Sequence, residues 1–238
     1  LSLVEKSFDS IIAKYNIKNL WGIGIGVPGP VEFANGIPVS PPIMPGWDKY
    51  PIRNRLSNQY KVPVWVDNDV NLMALGEHAL RKNSITNELI FVKIGSGIGA
   101  GILTHGQLHR GAQGCAGDIG HIALAGNDVT CRCGNLGCIE AVAGGLAIVR
   151  DAELAISSGE STYLAKIKKG KNKLLIQDVI EGSLSGDRWC VERIIKAGND
   201  IGTVLATLVN FHNPSIIVIG GSVSAAGDKL LEIGRAHV

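Results

Sequence analysis

The chain has 238 residues, 45% of them hydrophobic, with 31 glycines and a net charge of +2 from 23 basic and 21 acidic side chains, enough to bury a sizeable core. The charges are interspersed and form no basic stripe, which argues against strong DNA binding by these residues alone. No apolar run approaches the roughly 20 residues that span a bilayer, and Leu1 to Asp9 show neither a basic leader nor a cleavage-type end, so no membrane contact or export is expected.

In chain order, Val4, Phe8, Ile11, Ile12 and Tyr15 recur at helical spacing, and Leu20 to Val27 reads as a buried strand. Pro28 to Gly46, rich in Pro and Gly, predicts an extended loop. A short helix follows near Ile52 to Gln59, then a strand over Val62 to Val66 and a helix over Asn68 to Leu80. Leu89 to Ile94 and Ile98 to Thr104 predict a hairpin around glycines. Beyond residue 139 the pattern is helical: Glu140 to Ser157, a lysine-rich patch over Lys166 to Lys173, Ile176 to Ile180, and a long helix from about Asp187 to Asn210. Ser215 to Ile219 is a last β-branched strand, ending at Gly220-Gly221, where the backbone can come close to another group. Strands alternating with helices predict an α/β fold with parallel strand pairs, divided into lobes at residues 1–78 and 79–238.

His121, Cys131, Cys133 and Cys138 follow the spacing His-x9-Cys-x-Cys-x4-Cys, the ligand number of a closed tetrahedral zinc site. Gly134 and Gly137 allow the tight turns that bring thiolates together. A free thiol cluster beside an incidental histidine is the alternative. With protein in all four positions the zinc would be structural rather than hydrolytic. Five cysteines, three of them within eight residues, suit thiolate ligation in a reducing compartment, which predicts the cytoplasm. Cys115 and Cys190 read as small hydrophobes.

Asp67-Asn68-Asp69 ends a predicted strand, where α/β folds place ligand groups; helix capping competes with that reading. Asp118 and Glu140 flank the metal ligands, and carboxylates gathered beside one rigid loop suit a polyol, each accepting from two hydroxyls. A sugar is the natural ligand. The run Gly95-Ser96-Gly97-Ile98-Gly99-Ala100-Gly101 could offer backbone amides to a phosphate, although a glycine-rich hairpin without a ligand is the commoner meaning of such a run.

These stretches, with Gly24-Ile25-Gly26-Val27-Pro28-Gly29-Pro30, Asn68-Asp69-Val70-Asn71, Ala116-Gly117-Asp118-Ile119-Gly120-His121 and Cys131-Arg132-Cys133-Gly134-Asn135-Leu136-Gly137-Cys138-Ile139-Glu140, resemble the ROK family of repressors, open reading frames and kinases along nearly the whole chain. The resemblance implies an actin-like, ribonuclease-H-like fold of two lobes with sugar in the cleft and a zinc-braced loop. It implies that Asn68, Asp69, Asp118, His121 and Glu140 bind sugar, and that in a kinase Asp69 is the general base toward ATP and Mg²⁺. It further implies that Gly95, Ser96, Gly97 and Gly99 hold phosphate, that Gly220 and Gly221 lie near a nucleotide, and that His121 faces zinc with one ring nitrogen and ligand with the other.

Three features depart from the family's kinases. Asp118 stands where they usually carry glutamate, Pro42 lies near a common asparagine, and the Asp-x-Gly-x-Thr hairpin that holds the first ATP phosphate is not found ahead of Leu1. The family's last helix is likewise expected beyond Val238. Val92 to Gly101, Asp118 and Met44-Pro45-Gly46-Trp47 resemble the family's repressors more than its kinases. That wording implies a sugar-sensing region, homodimeric or homotetrameric, that meets DNA through a winged helix-turn-helix outside the chain.

Overall fold

A computed structural model describes residues 1–41, 43–81 and 84–231; Pro42 and the segment beyond residue 231 lie outside the described residues. The chain opens with α1 (Ser2–Lys14) and β1 (Ile23–Val27). The expected loop then carries a small hairpin, β2 (Val31–Glu32) and β3 (Ile37–Pro38), which corrects the extended reading of this segment. The turn signal was Asn35-Gly36, with Gly36 at φ 65°, and Arg53 holds the hairpin by donating from Nη2 to the Phe33 carbonyl at 2.6 Å. Next come α2 (Ile52–Tyr60), β4 (Val64–Asn68) and α3 (Asp69–Arg81). β4 pairs in parallel with β1, placing Asn68 beside Val27. Ile23, Val27, Val31, Ile52, Leu56, Val64 and Val66 form a first core around these elements.

The second sheet begins with β5 (Leu89–Ile94) and β6 (Ile98–Thr104), an antiparallel pair with the predicted bounds. A third strand, β7 (Gln107–His109), extends it beyond what periodicity over three residues can reveal. α3 lies on one face of this sheet, its Val70 and Ala74 packing against Leu89, Phe91 and Leu103. It comes so close that a Cβ on Gly101 would sit 2.7 Å from the Val70 carbonyl oxygen. The division expected at residues 78 and 79 therefore falls inside a helix that packs against the second sheet.

The opposite face carries α4 (Ile139–Ala143), α5 (Gly145–Ser157), α6 (Thr162–Lys169), α7 (Ile176–Leu184) and α8 (Arg188–His212). The continuous helix expected over Glu140–Ser157 is thus two, because Gly144 is extended and the Gly145 amide donates to the Gly95 carbonyl at 2.7 Å. In α8, Ile194, Ala197, Ile201, Val204, Leu205 and Leu208 recur at helical spacing and are buried in the larger core. The Asp187 carboxylate caps its start by accepting from Cys190 N, and Asn213 closes it in the left-handed conformation. β8 (Ile216–Gly220) returns parallel to β5, giving the sheet order β7-β6-β5-β8, and α9 (Asp228–Leu231) follows. Among the described residues no helix is long and apolar enough to cross a membrane.

Candidate functional site

β4 delivers Asp67-Asn68-Asp69 to the start of α3, and each of the three residues does something different. Asp67 is buried, and its carboxylate accepts from Asn68 N, Asn71 Nδ2 and the Arg110 guanidinium. Asn68 is the helix cap: its Oδ1 accepts from Val70 N at 2.8 Å and Asn71 N at 3.2 Å. Its Nδ2 donates to the Gly29 carbonyl at 2.9 Å, so capping and a fixed amide coexist in one side chain. Asp69, in the first turn, receives a hydrogen bond from Lys93 Nζ at 2.6 Å, and both side chains stay part-exposed.

Lys93 reaches this position because strand alternation puts it on the face of β5 shared by Leu89 and Phe91, which is the face covered by α3. Its stem also lies close to Gly95. The turn over residues 95–97 then closes between β5 and β6, with the Gly95 amide donating to the Gly97 carbonyl at 2.9 Å. α5 approaches from behind, its Gly145 and Leu146 amides donating to the carbonyls of Gly95 and Ser96. Among the described residues the amides of Ser96 and Gly97 have no protein acceptor.

Glu140, in the first turn of α4, reaches the same turn and accepts from Ile98 N at 3.0 Å. Only glycine fits beneath it, since a Cβ on Gly97 would lie 2.0 Å from Glu140 Oε2. The segment carrying Asp118 and His121 packs on β6 as well: the Gly117 carbonyl accepts from Ala100 N at 2.7 Å, and a Cβ on Gly120 would meet the Ile98 carbonyl at 2.2 Å. Asp69, Asp118, His121 and Glu140 are therefore all anchored to one end of the β5–β6 pair. Gly220 lies beside Lys93 in the register, and Gly221 packs on the Ile94 backbone, so the second glycine pair reaches the same end of the sheet. Close packing against Phe91 accounts for glycine at position 220.

The four expected metal ligands come together, with His121, Cys131, Cys133 and Cys138 offering ligand atoms that all lie within 4.8 Å of one another. Cys133 and Cys138 sulfurs are 3.6 Å apart, and Cys131 Sγ is 3.7 Å from His121 Nδ1. A tetrahedral ion with sulfur at about 2.3 Å requires edges of about 3.8 Å, so the group can hold a metal ion. The loop is closed by Cys131 N donating to the Asn135 carbonyl and Gly137 N to that of Val129. Burial pushes the Cys138 thiol up to about 12, helped by hydrogen bonds with Cys133 and Cys131, so a cation is the natural means of ionising it. His121 turns Nδ1 to the sulfurs and Nε2 toward Asp118, 3.9 Å from its Oδ1. Cys190 is buried with its thiol raised by that burial, which suits an inert core residue, whereas Cys115 is exposed.

Two residues of this site escaped the sequence reading. Lys93 left a signal, a lone charge in the apolar strand Leu89–Ile94. Arg110 left none, because its partner Asp67 lies 43 positions away.

Comparison with known proteins finds relatives along nearly the whole chain. The chain is 33% identical over 231 residues to the xylose repressor of Caldicellulosiruptor bescii, covering 97% of this chain and 57% of that one. It is 34% identical over 220 residues to a glucokinase of Halalkalibacterium halodurans, covering 92% of this chain and 66% of the relative. The crystal structure of a ROK family transcriptional regulator, a homologue of the E. coli Mlc protein, superposes with a TM-score of 0.86 at 27% identity, over 99% of this chain and 59% of that one. The chain spans less than two thirds of each of these relatives. The ROK family model matches residues 3–237, and the chain belongs to that family.

Proposed function

We propose that this chain is the sugar-binding effector region of a ROK-type transcriptional regulator, whose DNA-reading part lies outside it. The observation that carries the reading is the Lys93–Asp69 ion pair: the carboxylate that would have to receive a substrate proton is already engaged by an ammonium group at 2.6 Å. A carboxylate held in this way still accepts a hydrogen bond from a sugar hydroxyl through its other oxygen. The similarity to a xylose repressor over 97% of the chain supports the same choice.

In this reading the sugar, a pentose or hexose, lies between lobes formed by residues 1–78 and 79–238. Asn68, Asp69, Asp118, His121 and Glu140 take its hydroxyls. Zinc is the ion that suits His121, Cys131, Cys133 and Cys138, and its role is to hold Asp118 and Glu140 in place. Sugar binding draws the lobes together and shifts the population toward a form with altered operator affinity. A cytoplasmic homodimer or homotetramer follows from the regulator reading.

The similarity to a glucokinase favours one alternative, a sugar kinase. There Asp69 accepts the proton of the hydroxyl that is phosphorylated, and the backbone at Gly95, Ser96, Gly97, Gly99, Gly220 and Gly221 approaches the nucleotide. ATP with Mg²⁺ would supply the phosphoryl group. Asp69 would first have to part from Lys93. A coupled ADP-release assay on the intact protein over a panel of hexoses and pentoses separates the two. No turnover above background is expected, and robust turnover that disappears in Asp69→Asn would establish the kinase instead.

A further inference from the structure

Besides the Lys93–Asp69 pair, a second side chain, Arg110, joins the two walls of the site. Asp67 is only 2% exposed, and its carboxylate receives three hydrogen bonds: from Asn68 N at 2.8 Å and Asn71 Nδ2 at 2.9 Å on Oδ1, and from Arg110 Nε at 2.9 Å on Oδ2, with Arg110 Nη2 in ion-pair contact with the same oxygen at 2.8 Å. Both of its oxygens are engaged within the protein and its side chain is buried, so Asp67 faces protein groups rather than a ligand. The guanidinium carbon also lies over the Phe33 ring, 3.7 Å from its centroid, in the turn between β2 and β3.

The backbone of Arg110 belongs to the other wall. It follows β7 directly, and its carbonyl accepts from Ala116 N at 3.1 Å, closing a loop two residues before Asp118. The same loop touches the hairpin at Gly114, where a Cβ would lie 2.3 Å from the Val31 carbonyl oxygen. One residue thus bonds to the carboxylate adjoining Asn68 and Asp69 through its side chain, and to the loop presenting Asp118 and His121 through its main chain.

We infer that Arg110 is a positioning residue for the ligand pocket, setting the distance between the Asn68–Asp69 wall and the Asp118–His121 wall. The inference rests on the sugar-binding reading. Asp67 is what makes the strap stiff: a buried carboxylate deprived of its cation is strongly disfavoured, so the pair resists the opening of either wall. Glutamine at position 110 removes the charge. Lysine keeps it but supplies a point charge in place of two fixed N–H groups, so it restores part of the effect.

The test compares wild type, Arg110→Gln and Arg110→Lys, each confirmed folded by circular dichroism and held well below its unfolding temperature. It uses titration calorimetry with D-glucose and D-xylose, and amide hydrogen exchange without sugar. Arg110→Gln should weaken binding of whichever sugar the wild type takes by about tenfold, with Arg110→Lys in between. Exchange should accelerate together at amides 68–71 and 116–121. A general loss of stability would lower the melting temperature but leave affinity in the cold unchanged, so affinity separates positioning from mere support. Unchanged affinity in Arg110→Gln overturns the inference, as does faster exchange confined to one wall. If the wild type binds neither sugar, the sugar reading fails for these ligands and the exchange pattern alone decides the role of Arg110. If Arg110→Gln does not fold, Arg110→Lys decides by the same two criteria.

Discussion

Asn68 shows how one side chain caps a helix while its amide stays available to the proposed sugar site. Its Oδ1 takes the first free amides of α3, while its Nδ2 is tied to Gly29 and keeps a second hydrogen for a ligand. Asn68→Ala should therefore cost about 1 kcal/mol in urea unfolding through the lost cap. Asn68→Asp should recover most of that stability without recovering sugar affinity, because it lacks the amide donor. Wild-type affinity in Asn68→Asp would count against a ligand role for the amide. Gly97 is constrained differently: Gly97→Ala brings a methyl group to 2.0 Å from Glu140 Oε2, so the carboxylate must move. The expected cost is about 1–3 kcal/mol with a fall in sugar affinity, measured by denaturation and calorimetry, and an unchanged affinity would remove Glu140 from the ligand set. The His/Cys cluster was legible in the sequence because its residue types are rare and their spacing short. The Asp67–Arg110 pair was not, since nothing about an arginine after a short strand states which distant acid it will meet.

At the scale of elements, legibility followed hydrophobic period. The β5–β6 pair was read with its observed bounds because both strands are long and apolar. The single helix expected over residues 140–157 failed at Gly144, where helix period continues on both sides but the backbone is extended so that α5 can meet the 95–97 turn. The β2–β3 hairpin is too short to show alternation and is held instead by Arg53. α1 docks on α2 through an ion pair between Glu5 and Arg55 at 2.5 Å. The Arg55 hydrogen bond holds the Glu5 carboxyl below its ordinary value of 4.5. A carboxyl with a depressed folded-state value contributes stability that is fully present above its unfolded value and is lost as pH falls through the folded one. Wild-type melting temperature should thus decline more steeply below about pH 4.5 than that of Arg55→Gln, which has already lost the pair. Parallel declines would show that the pair does not dock the helix.

For the whole molecule, the α/β class and the gathering of His121 with Cys131, Cys133 and Cys138 were foreseen, because the strands are readable and the cluster's spacing is short. The crossing of α3 from the first core to the second sheet was not, since it depends on Gly101 meeting Val70 and Ala74 across about thirty residues of chain. That crossing makes the positions of Asp69 and Glu140 depend on one shared sheet end. If the His121, Cys131, Cys133 and Cys138 cluster holds an ion, the loop it closes braces the remaining wall, so Cys133→Ser should release Asp118 and Glu140 while the larger core stays folded. Hydrogen exchange should then rise across residues 115–140 and not along α8, and a uniform rise would mean that the ion supports the entire fold. The most direct test titrates the intact protein with D-glucose and D-xylose, once loaded with one zinc per chain and once stripped by chelation. Saturable one-site binding of at least one sugar to the loaded form, weakened at least about tenfold on stripping, is the predicted result; equal affinity in both forms, or no binding to the loaded form, would contradict a metal-braced sugar pocket.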